Sequence, residues 1–372
     1  MSNALEIVSS MLDQYGDFKA SDIHLTSNRG AYFVKDKATR KIPDFHLDGG
    51  ALIQGLVDGT VAGGMAEIDG YGQADASFDQ AGKYRGRLAV RREQGGLSCT
   101  MRIISRDIPT TKTLGLPTSV VNLIARPSGL VWFVGQTGSG KSTTIASMTN
   151  LWNQQRESSI YTLEKPIEYI YPEGKSLVVQ REVGVHVGSF AEGVENAKRS
   201  HPRIIIVGEI LNAETARSAL LAAASGHLVV STMHAGTAAE AVDSFISMFT
   251  PEEQGLVRTQ LAQTLVGIVA QTLIAKPGGG LAMAQEIAFN TQTFAELLRG
   301  SGNRSNDTKL IQQLLLSSQG KADGMVAMEE SIANLVKTEQ ITADSGYSIA
   351  RDRSAFEEKL RQLGVPLQKR VA

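Results

Sequence analysis

The chain has 372 residues, with 37 Lys and Arg against 38 Asp and Glu, a formal net charge of -1. That length accommodates two domains with separate cores, and the charge balance excludes a general affinity for nucleic acid or anionic lipid. The single cysteine, Cys99, excludes an intramolecular disulfide and, with no signal-like start, fits a reducing cytosol.

From about 5 to 107 the pattern is short and mixed. A helix-like start, ALEIVSSMLDQY, is followed by strand-like DIHLT (22–26), AYFVK (31–35) and LSCTMRII (97–104), with many glycines between. This predicts a compact α+β domain over 1–108. Pro109, Gly115 and Pro117 in IPTTKTLGLP disfavour continued helix and mark a linker over 109–118.

Beyond it, the apolar runs GLVWFV (129–134), SIYTL (159–163), IIIV (204–207) and HLVVST (227–232) alternate with helical stretches. Near-continuous apolar strands separated by helices predict a parallel sheet buried on both faces, an α/β core over 119–290. From 291 to 372, TFAELLR, TKLIQQLLLSS, MVAMEESIANLVK and AFEEKLRQLG place apolar residues three and four apart, as amphipathic helices do. The longest mostly apolar run, TLVGIVAQTLIA (264–275), is interrupted by Gln271. It falls well short of the roughly 20 residues a membrane-spanning helix requires, so no transmembrane segment is expected.

The strongest chemical signal is Gly135, Gln136, Thr137, Gly138, Ser139, Gly140, Lys141 and Ser142, followed by Thr143, which satisfies G-x-x-x-x-G-K-[ST]. A buried strand precedes it and a helical stretch follows, the context that phosphate binding demands. Glycines let the backbone wrap phosphate oxygens, so that successive N–H groups and the helix N-terminus face the negative charge. Lys141 is expected to reach the β- and γ-phosphates of ATP, and the Ser142 hydroxyl to bind Mg²⁺.

Hydrolysis needs more than binding: a group to orient or deprotonate water, and a counter-charge for the transferred phosphate. Glu209 ends the apolar strand RIIIVGE at the sheet edge where phosphates lie in α/β nucleotide sites. Gly208 stands where an ordinary Walker B strand carries Asp, so Glu209 is the candidate to polarise water. Glu164 in TLEKPIEY ends another strand, which Pro166 stops. His234 in STMHAGT ends a third, where an imidazole could contact the γ-phosphate or Glu209; on spacing alone an isolated histidine is more often structural.

Taken in order, GQTGSGKSTT, TLEKPIEY, IIIVGE and ASGHLVVSTMHAGTAAEAVDSF resemble the PilT-like secretion traffic ATPases of type II and type IV secretion, pilus and conjugation systems. There they are the Walker A, the Asp box, a glycine-containing Walker B and the His box. The likeness extends to SDIHL (21–25), QREVG (180–184) and AQTLIAK (270–276). It implies a PAS-like front domain and a RecA-like P-loop ATPase domain with a helical C-terminal tail. It further implies a homo-hexamer that uses ATP and Mg²⁺ in the cytoplasm, docked on an inner-membrane secretion or conjugation complex. Arg85, Arg87 and Arg102 occupy the positions of the family's front-domain arginines, whose guanidinium forks suit phosphate charge. His227 is also carried by the family, yet reads as structural.

Two departures shape the functional expectation. Lys165 stands where the Asp box has a second acid. The segment TFAELLRGSGN (293–303) keeps only the LLR core of a helix that resembles AIRNLIRE in pilus-retraction members. The resemblance therefore points toward DotB-like type IVB secretion ATPases and their conjugative TraJ relatives, with a pilus retraction motor as the alternative. The chain lacks the basic, aromatic stacking loops of a nucleic-acid motor, and no specific nucleic-acid partner is expected.

Overall fold

The computed structural model describes residues 22–35, 38–43, 48–61, 63–80, 84–104, 107–300 and 304–365, with Ala4, Glu6, Ile7, Ser10 and Phe45. Most of ALEIVSSMLDQY, and Ser21 of SDIHL, lie outside the described residues. The chain divides into two compact units, Met1–Asp107 and Ile108–Ala372.

In the first unit, β1 (Asp22–Thr26), β2 (Gly30–Lys35), β3 (Ala38–Lys41), β4 (Gln73–Gln80), β5 (Tyr84–Glu93) and β6 (Gly96–Ile104) form one sheet. Its order is β3-β2-β1-β6-β5-β4 and every pairing is antiparallel. Side chains alternate across a strand, so Ile23 and Leu25, Leu88 and Val90, and Cys99 and Met101 share one buried core. The helix Gly49–Thr60 lays Leu52, Ile53, Leu56 and Val57 into that core, with Asp48 accepting from the Gly50 and Ala51 amides at its start. Burial pushes the Cys99 thiol up to about 12, which makes it an inert small hydrophobe. At Gly86 a Cβ would lie 2.2 Å from the Arg102 carbonyl oxygen, so only glycine lets β5 approach β6 there.

Sequence periodicity finds β1, β2 and β6 but not β3, β4, β5 or the helices Gly49–Thr60 and Met65–Tyr71. In QADASFDQ and YRGRLAVRRE the inward positions include Ala and Gly, too small to mark the period.

In the second unit, β7 (Gly129–Val134), β8 (Ser159–Glu164), β9 (Leu177–Glu182), β10 (Ile204–Val207), β11 (Leu228–Met233), β12 (Leu265–Ala275) and β13 (Leu281–Phe289) form a sheet ordered β13-β12-β7-β11-β10-β8-β9. Every neighbouring pair is parallel except β12 with β13. Along β7 the apolar side chains go to two cores. Leu130, Trp132 and Val134 pack with residues of the helices Phe190–Lys198, Ala213–Ala224 and Ala238–Ser247. Val131 and Phe133 pack with Leu123, Ile124, Ile145 and Met148 on the other face. Both faces are covered, which is why the strand carries no alternation with polar residues.

The C-terminal helices join this architecture. Phe294 and Leu298 of Gln292–Arg299, Ile311 and Leu315 of Arg304–Leu316, Ile332 of Met328–Lys337, and Phe356 and Leu360 of Arg353–Gln362 lie in the same core as Trp132. The tail is thereby tied to the sheet that carries the phosphate loop. Among the described residues no helix is long and apolar enough to cross a membrane; all of the run 264–275 after Thr264 is strand β12.

Candidate functional site

The loop from β7 to the helix Lys141–Gln155 is built on three glycines in the left-handed region, Gly135 (φ 149), Gly138 (φ 77) and Gly140 (φ 86). A side chain at Gly135 would meet Gln271 O and Ser139 Oγ at 2.5 Å each. Lys141 is 8% exposed, and its Nζ donates to Gly135 O (2.8 Å) and Gln136 O (3.0 Å). The ammonium is curled back on its own loop. Burial lowers its pKa, while the negative charges of Glu168 and Glu209 raise it.

Ser139 Oγ is buried without a hydrogen-bond partner, while Ser142 is exposed beside Lys141. A cradle that rejects Cβ atoms, a buried unpartnered hydroxyl, a lysine and an exposed helix-start serine fit a polyphosphate with its divalent cation. Thr143 Oγ1 lies 3.0 Å from Tyr169 OH, which ties the start of that helix to the segment after β8.

Glu164 is engaged by its own segment and by strand β9. Its Oε1 accepts from Thr162 Oγ1 (2.6 Å) and Gln180 Nε2 (3.2 Å), and its Oε2 from the Glu168 amide (3.4 Å). Burial pushes its carboxyl pKa up, against those hydrogen bonds. Gln180 Nε2 also donates to Tyr169 O, and Glu182 Oε2 accepts from the Ile167 amide. Together these contacts from β8 and β9 shape the KPIEY turn that carries Glu168; Lys165 is exposed.

Gly208 follows β10, and its amide donates to Leu163 O at 2.7 Å. A Cβ there would stand 3.0 Å from that same oxygen and 3.4 Å from Glu164 Cα. An Asp at this position would crowd the strand end that presents Glu164, which gives the atypical glycine a steric cause. Glu209 is half-buried, and its Oε2 lies 3.8 Å from His234 Nε2, beyond hydrogen-bond length.

His227 sits at the opposite end of β11 from His234, about 20 Å away by strand rise. Its Nδ1 pairs with Pro202 O at 2.7 Å, a structural contact. His186 Nδ1 accepts from the Glu182 amide, again a local bond.

In the first unit, Arg87 on β5 and Arg102 on β6 are register partners, and Arg85 stands two residues before Arg87 on the same strand. Arg102 Nε donates to Asp22 Oδ1 at 2.8 Å, so the acid of SDIHL holds one arginine of the trio. The Arg85 side chain lies outside the described residues.

Sequence reasoning missed Gln271. Its Nε2 donates to Ser139 O at 2.8 Å from strand β12, clamping the phosphate loop. The available signal was a lone amide inside an apolar run: a buried polar side chain needs a partner. Among the described residues no group of three or more His, Cys, Asp or Glu is arranged to hold a metal.

Residues 96–358 match the family described as type II/IV secretion system protein. Over 335 residues the chain is 33% identical to the type IV pilus retractation ATPase PilT of Pseudomonas aeruginosa, covering 89% of this chain and 94% of that protein. Among solved structures, that of the pilus retraction motor PilT with bound ADP superposes with a TM-score of 0.82 at 33% identity, covering 94% of this chain and 98% of that one. The Legionella pneumophila ATPase DotB superposes with a TM-score of 0.80 at 25% identity, covering 92% and 95%.

Proposed function

This chain belongs to the type II/IV secretion system protein family and is a PilT-like secretion and pilus ATPase with a RecA-like core, and from that premise we propose that it is a Mg²⁺-dependent, hexameric motor. In this reading ATP hydrolysis shifts the front unit against the ATPase unit to drive an inner-membrane machine. The observation that carries the catalytic part is the Lys141 ammonium held in the glycine-built loop after β7, with Glu209 and His234 3.8 Å apart just beyond the ends of the neighbouring strands β10 and β11.

The chemistry follows from that arrangement. Lys141 exchanges its two loop carbonyls for the β- and γ-phosphates. Ser142 would hold Mg²⁺, which would supply charge neutralisation on the phosphates. Glu209 orients the attacking water and accepts its proton as the bond from the γ-phosphorus to the bridging oxygen breaks. His234 senses the γ-phosphate through its proximity to Glu209. Glu164 holds the KPIEY turn in place. Arg85, Arg87 and Arg102 supply the counter-charge from the front unit of a ring neighbour.

The machine in this proposal is a type IVB secretion or conjugation apparatus, supported by TFAELLRGSGN, which keeps only the LLR core of the helix marked in retraction motors. Pilus retraction is the second reading, favoured by the identity to the Pseudomonas PilT. Replacing the chromosomal or plasmid copy by Glu209→Gln tests both levels. Purified protein is expected to lose steady-state hydrolysis by about a hundredfold or more while still binding ATP, and cells to lose plasmid or effector transfer with twitching intact. Unchanged hydrolysis removes Glu209 from its role; lost twitching with intact transfer selects the retraction motor.

A further inference from the structure

The loop His234–Thr237 that carries the sensor histidine is held from the C-terminal tail. The Gly236 amide donates to Glu240 Oε2 at 2.8 Å, and Arg351 Nη1 donates to the other oxygen of the same carboxylate. Arg351 lies between the helices Ala343–Ile349 and Arg353–Gln362, more than a hundred residues downstream. Its guanidinium also fills the space above Gly236, where a Cβ would fall 1.5 Å from Nη2 and 2.6 Å from Cζ. Two residues on, at the start of the helix Ala238–Ser247, Ala238 N donates to the buried Glu286 Oε1 at 2.7 Å from strand β13. Glu329, on the tail helix Met328–Lys337, in turn accepts from the Asp352 amide next to Arg351. Two carboxylates therefore grip the loop's amides, and a single arginine fixes one of those carboxylates while covering the glycine two residues after His234.

We propose that Arg351 is a positioning residue for ATP hydrolysis: through Glu240 and Gly236 it sets where the His234 imidazole stands relative to Glu209. This rests on the assignment of His234 and Glu209 made above. The Arg351–Glu240 pair is half-exposed on both sides, 48% and 47%, so it contributes little to stability. A planar, five-donor cation packed on a bare glycine fixes geometry in a way an exposed ion pair alone does not. Displacement of a group near the reacting atoms by about an ångström is enough to slow turnover without loosening ATP, which is held by the phosphate loop.

The test is a kinetic cycle on the full chain with Arg351→Ala, His234→Ala and the double variant, and Arg361→Ala as a control for an exposed tail arginine. Arg351→Ala is expected to lower kcat about tenfold with KM for ATP unchanged. In the His234→Ala background it is expected to cost no more than about twofold, because both changes remove one geometry. Gly236→Ala, which keeps every polar group but puts a methyl where the guanidinium lies, should reproduce the kcat loss and serves if Arg351→Ala folds poorly. Wild-type kcat in both Arg351→Ala and Gly236→Ala, or a loss fully additive with His234→Ala, overturns the positioning role. A wild-type kcat in His234→Ala alone instead overturns the sensor assignment, a separate outcome.

Discussion

Lys141 is the side chain whose consequence is easiest to isolate, because it carries no part of the apolar core. Its Nζ donates to Gly135 O and Gln136 O, bonds that phosphate oxygens would replace in the function proposed above. Charged hydrogen bonds contribute about 1.5–3 kcal/mol, so Lys141→Ala is expected to weaken ATP binding by roughly ten- to a hundredfold by calorimetry while the thermal transition stays within a few degrees. Undiminished affinity would remove Lys141 from the phosphate site. The spacing of this loop was fully legible in the sequence, because a phosphate cradle constrains successive residues. The Asp box was not: TLEKPIEY offers Glu164 and Glu168, and nothing in their order says which faces the nucleotide. Folding consumes Glu164 with Thr162 and Gln180, the latter from strand β9, whose pairing beside β8 no local pattern announces. Gly208 is similar, since its reason, the 3.0 Å approach of Leu163 O, exists only once two strands are adjacent.

Elements were readable in proportion to how completely they are buried. The parallel strands β7 and β10 announce themselves as unbroken apolar runs, whereas β13 mixes Gln285 and Glu286 into the pattern because its polar side chains answer partners elsewhere. Glu286 is the sharper case. It caps the helix Ala238–Ser247 from a strand, accepting from Ala238 N, and burial raises its carboxyl to about 7, with Glu329 and Glu240 adding to the rise and Arg351 opposing it. In the unfolded chain the group ionises near 4.5. The folded value lies above the unfolded one, so the stability this group confers is complete below about pH 4.5 and is lost as pH rises through about 7. Glu286→Gln keeps the acceptor and abolishes the titration. Relative to wild type, the variant should gain on the order of 3 kcal/mol in unfolding free energy between pH 4.5 and pH 8, read by urea unfolding of the second unit. A difference constant across that range would mean that Glu286 ionises as freely inside the fold as outside it.

At the scale of the whole molecule, the question is why a small antiparallel sheet precedes a complete P-loop core. In the function proposed above, Lys141 binds the nucleotide and Glu209 is the base, and the side-chain cation that the second unit brings to its glycine loop is Lys141. Phosphoryl transfer builds charge that a second cation must offset. The first unit presents Arg87 and Arg102 side by side in register, with Asp22 steering one of them. If those guanidinium groups act on a neighbour's nucleotide, an isolated protomer holds an incomplete site, and hydrolysis per chain must rise with protein concentration as rings assemble. The expected result is a sigmoidal rise of specific activity that coincides with the increase in solution mass measured by light scattering in ATP. Arg102→Ala should assemble over the same range yet stay at the low turnover of dilute protein, since ring formation and counter-charge are then separated. Specific activity that is flat from monomer to assembled protein would place every catalytic group within one chain, leaving the front unit to do something other than complete the site.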